Sequence, residues 1–440
     1  MSNIIFIIHY PYQSEIIVRI SDRLATLNYE VYILGFGNNF KKYYNYSQCI
    51  NLCERDCNDE GATEFLNAFL TKNTLFKIMD ADRFLDPYNE KEVIYLARVF
   101  HNYRKIVQDK KPICLISEFS TSVEYTFSLY NESIKIHHLT ILNFPFGEKL
   151  GCFYNREHRL LVCKKNPILE KIKSNSRYED LGKELKKQRN KTYFSALGSI
   201  DNYDRDDYRT WLSKKFKNQL KIFLYKKLSI ISKRKLCYEL PSVPFVYFAL
   251  HVQPEETPDF VSLEFRDQFK LLRYLRKILP EEIKIVVKDH PWKISARDWN
   301  DEYRLMQRDG IIFLQRDFNS LDIIQKSCGT ISIAGSVLVE SILIGRPSLC
   351  FSNSFHLEHF TFIFDGKNIN SIIEFLNCTK SSNYISRQSQ NELEKLCKIL
   401  PSFLYVNDLF DKEKKCQSTK NIFNITEYLH QYLYENNYLQ

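Results

Sequence analysis

Apolar runs and amphipathic stretches alternate along most of the chain, and the alternation predicts strand and helix in turn. Ile4 to Ile8 is a continuous apolar run, the pattern of a parallel strand buried on both faces. Glu15 to Leu27 places Ile16, Ile20, Leu24 and Leu27 at helical spacing, and Glu30 to Gly35 (EVYILG) reads as the next strand. Pro112 to Ser117 (PICLIS) predicts a strand, Val123 to Tyr130 a helix and Lys135 to Leu142 a further strand. The tract from 155 to 240 is highly charged, helical in period and poor in strand signals. The alternation resumes near Pro241: VPFVYFAL is a strand, Ser262 to Ile278 a long amphipathic helix and Ile283 to Lys288 (IKIVVK) a strand. Ile311 to Leu314, Thr330 to Ala334 and Pro347 to Phe351 are further short strands, and Gln388 to Gln440 reads as helical and polar.

Strands alternating with helices specify parallel sheets, so the fold class is α/β. The expected division is an N-terminal Rossmann-like domain (1–154) and a charged helical insertion or linker (155–240), followed by a C-terminal Rossmann-like domain (241–385) and C-terminal helices (386–440). A chain of 440 residues has the length for two or three domains, and 44% hydrophobic residues exclude global disorder. No run of 18 apolar residues predicts a membrane span, and the N-terminus lacks the layout of a signal peptide, so the expected location is the cytoplasm. The 12 cysteines would then be reduced. Cys49, Cys53 and Cys57 stand at i, i+4, i+8, which matches no usual metal-ligand spacing; they read as thiols on a helix.

The net charge of +9 favours acidic partners such as nucleotide phosphates, anionic lipid or an acidic glycan, but falls short of a dedicated nucleic-acid binder. It concentrates between Lys214 and Lys235, where Lys214, Lys215, Lys217, Lys221, Lys226, Lys227, Lys233, Arg234 and Lys235 occur without an acid between them. Phe216, Leu220 and Phe223 recur on one face of the same stretch. Such a helix can lie on the anionic inner face of the cytoplasmic membrane, or it can be a solvated cover over a domain.

Candidate chemistry clusters at strand ends. IKIVVK, closing on Lys288, runs into Asp289-His290-Pro291; the proline stops the strand and leaves His290 at the carboxyl edge, where an imidazole can donate to a phosphate. Gly335 and Ser336 follow a strand and open a helix whose amide groups suit an anion, and Glu340 lies one turn on, within reach of ribose hydroxyls. His251 ends the first strand of this domain, ahead of Gln253, Glu255 and Glu256; the two acids could position an acceptor or serve in acid–base work, or be solvated. A base or nucleophile for transfer should come from the N-terminal domain. Glu118 in ISEFSTS fits best, with His9 and Glu15 as alternatives, and Glu118 could equally be only a helix cap. No DxD-like pair follows a strand, so neither a metal site nor a bound cofactor is expected.

FVYFALHVQPEETP, Asp267-Gln268 in the following helix, VVKDHPW and IAGSVLVESILIGRPSLCF together resemble the capsular polysaccharide biosynthesis family. That family includes Kdo transferases and is distantly similar to bacterial polysialyltransferases with their His-Pro motif. The resemblance covers Val243 to Phe351; the N-terminal half shares only the architecture. It implies a GT-B fold, with two Rossmann-like domains facing across a cleft, and a metal-independent glycosyltransferase. His290 and Ser336 would then contact the donor phosphate and Glu340 the ribose, with a nucleotide sugar, CMP-linked in some relatives, as donor and a glycan or glycolipid as acceptor. Asp289 and Ser336 stand where many relatives carry Glu and Thr. Two other readings remain: a CDP-polyol-dependent polyol-phosphate transferase of teichoic-acid type, and a non-catalytic capsule-assembly subunit.

Overall fold

The computed structural model describes residues 2–8, 14–36, 48–53, 58–82, 85–119, 121–143, 150–155, 236–253, 257–290, 299–354, 356–380, 392, 395, 404–405 and 419–436. The chain divides into two compact units, 1–188 with 399–440 and 189–398. The basic stretch Lys214 to Lys235 lies outside the described residues, as do His9, Glu256 and Pro291.

Unit 1 is wound around a first strand whose residues from Ile4 to Ile8 are all apolar. β1 (Ser2–Ile8) pairs in parallel with β2 (Tyr29–Gly35) on one side, and beyond β2 lies β3 (Cys49–Asn51). On its other side β1 pairs with β4 (Cys114–Ile116), followed by β5 (His137–Asn143). These strands are parallel, while β6 (Leu150–Tyr154) closes antiparallel on β5. Ile4, Ile5 and Phe6 are fully buried, as a central strand covered on both faces requires. α1 (Ser14–Ala25) buries Ile16, Ile20 and Leu24. Three helices that the sequence pattern did not single out fill the span before β4: α2 (Asp59–Phe69), α3 (Lys72–Ala81) and α4 (Glu90–Lys110). α5 (Ser122–Ser133) then connects β4 to β5.

Unit 2 holds a six-stranded parallel sheet in the order β12-β11-β10-β7-β8-β9. Its strands are β7 (Phe245–Ala249), β8 (Lys284–Lys288), β9 (Ile311–Leu314), β10 (Gly329–Ser332), β11 (Ser348–Cys350) and β12 (Ile363–Asp365). The connecting helices are α6 (Gln268–Ile278), α7 (Trp299–Met306), α8 (Ser320–Lys326), α9 (Ser336–Leu343), α10 (His356–His359) and α11 (Ile369–Lys380). α6 and α11 pack Leu272, Leu275, Ile372 and Phe375 on one face of the sheet against Val246, Ile285 and Ile331. α8 lies on the other face, its Ile323 and Ile324 against Phe245, Tyr247 and Val286, with Val337 of α9 beside them. Alternation along β8 therefore puts Lys288, like Val286, on the α9 face.

Three expectations need correction. The helix expected from Ser262 starts only at Gln268, because the Asp267 carboxylate accepts the Lys270 N–H at 2.8 Å and caps it there. A short turn of 3-10 helix (Leu263–Phe265) precedes it. Cys49 lies on strand β3 and Cys53 in the turn after it, so their spacing is not helical; burial pushes the Cys49 thiol up to about 11. The C-terminal tract, read as helical, also supplies β13 (Leu404–Tyr405), antiparallel to β6. Its helix α12 (Thr419–Glu435) has an apolar face: Ile425, Tyr428, Leu429 and Leu433 pack against Ile20 and Leu24 of α1 and the strands of unit 1. Tyr29 and His430 (2.8 Å) and Arg23 and Glu427 (3.2 Å) add polar ties to the same seam. Among the described residues, no helix is long and apolar enough to cross a membrane.

Candidate functional site

Both sheets change winding direction beside their first strand. In unit 1 the chain runs outward from β1 through β2 and β3, then returns to β4 on the opposite side; in unit 2 it runs from β7 through β8 and β9, then returns to β10. The loops leaving neighbouring strands diverge at such a point and open a crevice at their carboxyl ends, the usual ligand position in doubly wound sheets. In unit 2 the crevice falls between β7 and β10, and in unit 1 between β1 and β4.

Several of the predicted residues meet at the unit 2 crevice. Ala249 pairs with Lys288 across β7 and β8, and the Ser332 hydroxyl donates to the Ala249 carbonyl at 3.2 Å, so one row crosses three strands at their carboxyl ends. His251 follows β7, and its Nε2 accepts the Ala334 N–H at 3.3 Å, with the Ser332 hydroxyl at 3.1 Å. His251 is thus committed on one side to the turn leading into α9. Gln268, buried at the start of α6, holds the His251 backbone at both ends: its Oε1 accepts the N–H at 2.8 Å and its Nε2 donates to the carbonyl at 3.1 Å. The sequence pattern gave Gln268 no role of its own, although a glutamine on the inner face of an amphipathic helix is the available signal.

The turn between β10 and α9 needs its glycine. Gly335 has φ +94°, and a β-carbon there would lie 3.3 Å from His251 Cε1. As the N-cap it carries no side chain to cap the helix, and the first turn of α9 has no acidic residue. The Ser336 hydroxyl donates to Glu340 Oε1 at 2.8 Å, and Glu340 is buried. Lys288, 2% exposed, is pushed down to about 8 by burial, against the pull of the Glu340 and Asp317 carboxylates. Ser336, Glu340 and Lys288 thus form one polar group on the α9 face. His290 stands two residues beyond Lys288, its N–H accepted by Asp289 Oδ1 at 2.9 Å; Asp289 in turn is paired with Arg316 at 2.5 Å. Asp289 therefore shapes the turn that carries His290.

The equivalent helix start in unit 1 is built differently. The Ser122 N–H donates to Asp82 Oδ2 at 2.5 Å, and Thr121 caps α5, accepting the Glu124 N–H at 3.5 Å and donating its hydroxyl to the Glu124 carboxylate at 3.3 Å. Asp82 and Glu124 are both 1% exposed. The chain's own carboxylates take an amide and the capping hydroxyl at the start of α5, whereas the start of α9 has no side-chain cap on its amides and Glu340 takes only the Ser336 hydroxyl. Glu118 lies at the unit 1 crevice, two residues past β4 and half-buried. Its expected companion His9 follows β1 but is outside the described residues, as is the side chain of Glu15.

No protein-family model matches the chain, and no curated protein matches it in sequence. Among solved structures it is similar to the β-Kdo 2,7-transferase KpsC of Thermosulfurimonas dismutans, at 14% identity over 74% of this chain and 89% of that one, with a TM-score of 0.35. It is also similar to the UDP-GlcNAc 2-epimerase of Methanocaldococcus jannaschii, at 12% identity over 91% and 99%, with a TM-score of 0.28. A glycosyltransferase from Rickettsia africae gives 9% identity over 99% of each chain and a TM-score of 0.28. Likenesses of this size decide neither activity nor substrate. The two Rossmann-like domains are established by the strand orders of the two sheets themselves.

Proposed function

We propose that the chain is a glycosyltransferase of GT-B type that takes its donor, a nucleotide sugar, at the unit 2 crevice. The observation that carries this reading is the contrast between the two helix starts. α5 is sealed by Asp82 and Glu124, while α9 begins at Gly335 with no side-chain cap, and the buried Lys288 feels the Glu340 carboxylate of the same helix. A diphosphate or monophosphate would meet the α9 amides and the Lys288 ammonium, with the Ser336 hydroxyl turning to it from Glu340 and His290 donating from the β8 turn. Glu340 would hold ribose hydroxyls, and the second side of His251 would line the same crevice. Capsule or another surface polysaccharide is the acceptor class that the sequence resemblance favours.

Transfer needs a base on the acceptor hydroxyl, or a carboxylate nucleophile if configuration is retained. Glu118 takes that role here, because it follows β4 at the unit 1 switch point and is half-buried, whereas Asp82 and Glu124 nearby are buried. Lys288 and the α9 dipole supply the positive potential that stabilises the leaving nucleotide, so activity should survive EDTA. Loss on chelation that manganese or magnesium restores would count against this arrangement.

The direct test is a panel of CMP-, UDP-, GDP- and CDP-linked donors scored by thermal stabilisation, since a bound ligand raises the melting temperature by mass action. The best donor is then followed for nucleotide release, with water or a supplied glycan as acceptor. Stabilisation by a sugar-linked nucleotide that Lys288→Met abolishes supports the reading. Stabilisation only by a CDP-polyol, with a phosphodiester product, would replace it with polyol-phosphate transfer.

A further inference from the structure

Glu118 stands between two residues that are anchored on the same imidazole. Before it, Ser117 Oγ lies 2.6 Å from His138 Nε2 and donates to the Glu118 carbonyl at 2.8 Å. After it, the Phe119 ring meets the His138 ring edge-on at 4.6 Å between centroids. Ser117 and His138 are 6% exposed and Phe119 is fully buried, so both neighbours of Glu118 are held inside the unit while Glu118 itself is half-buried at the crevice.

The imidazole is held in its turn. Asn131 of α5 places Nδ2 3.5 Å from His138 Nδ1, and the Tyr103 hydroxyl of α4 donates to Asn131 Oδ1 at 2.7 Å. Tyr103 and Asn131 are fully buried. The donors and acceptors run in one direction. Tyr103 donates to the Asn131 carbonyl oxygen, which turns the amide NH2 toward His138; Nδ1 accepts, so the ring proton is on Nε2 and points at Ser117. Ser117 then spends its own hydrogen on the Glu118 carbonyl. This direction argues against a serine nucleophile, because His138 offers Ser117 a proton instead of taking one.

We propose that His138 is a positioning residue for Glu118: through Ser117 on one side and Phe119 on the other, it fixes the backbone from which the carboxylate projects. This rests on the reading of Glu118 as the group that acts on the acceptor. The chain links four separate elements, α4, α5, β5 and the turn after β4, all in unit 1, whereas the proposed donor crevice belongs to unit 2. Its loss should therefore act on turnover and leave donor binding alone.

The test compares His138→Leu, His138→Gln, Ser117→Ala and Glu118→Gln in the full chain. The probe is the nucleotide sugar giving the largest thermal shift, with nucleotide release to water as the readout. Glutamine can place an amide N–H near Nε2 and an oxygen near Nδ1, so it preserves both hydrogen bonds and gives up only the ring contact with Phe119. Expected are a fall in kcat of roughly ten- to hundredfold for His138→Leu, with donor KM unchanged, and recovery of most of it in His138→Gln. Ser117→Ala, which removes only the small link, should fall in the same direction and serves if His138→Leu does not fold.

Wild-type kcat in a folded His138→Leu or in Ser117→Ala, alongside an inactive Glu118→Gln, would overturn the positioning role. An active Glu118→Gln would instead remove the base assignment on which it rests. Independently of turnover, nitrogen-15 spectra of histidine-labelled protein should show His138 protonated on Nε2 alone; a proton on Nδ1 reverses the chain and overturns the proposal.

Discussion

The Ser336 hydroxyl donates to the Glu340 carboxylate one turn along α9, at 2.8 Å, so the first residue of the helix orients an acid that burial keeps from solvent. The i, i+4 spacing makes the contact natural on a helix, because the Glu340 side chain leans back toward the N-terminus. Ser336→Ala should leave the fold intact and weaken donor binding about fivefold, the value of one hydrogen bond of about 1 kcal/mol. Ser336→Thr should retain the bond and the affinity. Titration calorimetry with the best donor decides between them.

Gly335 is required twice, by its φ of +94° and by the His251 ring 3.3 Å from any added β-carbon. Gly335→Ala should cost about 1–3 kcal/mol of stability through backbone strain. It should also displace the α9 amides and reduce donor binding beyond what the stability loss explains. Urea unfolding and donor titration on the same sample separate the two effects.

Lys288 gives a pH dependence with a definite sign. Its pKa in the folded chain is about 8, below the ordinary 10.5. Between those values the unfolded chain holds a proton that the folded chain has released, so this group makes stability rise with pH across the window; below about 8 both states are protonated and the burial cost is present in full. Donor affinity runs the other way, since an anion is held by the ammonium, and should fall as pH rises through about 8. Lys288→Met should flatten both dependences. Calorimetry near pH 8 in buffers of different ionisation enthalpy should detect proton uptake on binding by the wild type only.

Asp82 ties the end of α3 to the start of α5 through the Ser122 N–H, and its other oxygen accepts the Leu85 N–H at 3.2 Å. Asp82→Ala leaves two buried amides without their acceptor and should destabilise unit 1 by about 1–3 kcal/mol. Donor affinity should be unchanged, because the proposed donor site belongs to the other unit. A parallel loss of both would count against the division of labour between the units.

Helix α12 completes the core of unit 1, with Leu429 and Leu433 fully buried against α1 and the sheet. Leu429→Ala should cost about 2–5 kcal/mol, the range for a truncated core leucine. Denaturant unfolding of the full chain is the measurement.

Much of the fold was legible because its signal is local. Buried parallel strands write themselves as short apolar runs, and Ile4 to Ile8, Phe245 to Ala249 and Ile285 to Lys288 all appear as such in the sheets. Gly335 was legible for the same reason: a glycine between a strand and a helix marks a turn with positive φ. The start of α6 was misplaced by several residues, because side-chain capping by Asp267 outweighs an amphipathic pattern that continues upstream.

The sequence by itself determined the α/β class, the strand ends and the residue types available there, since these follow from period and from chain neighbours. Only the tertiary structure decided which of those residues meet. The return of the chain from β9 to β10 brings His251 against Ala334, 83 positions away, and puts Lys288 on the face of α9. The same kind of crossing seats Asp82 on α5 and His138 beneath Glu118. Strand order is set by the packing of helices on both faces of a twisted sheet. No local pattern encodes it, so the partners of a buried polar group become known only when the sheet is assembled.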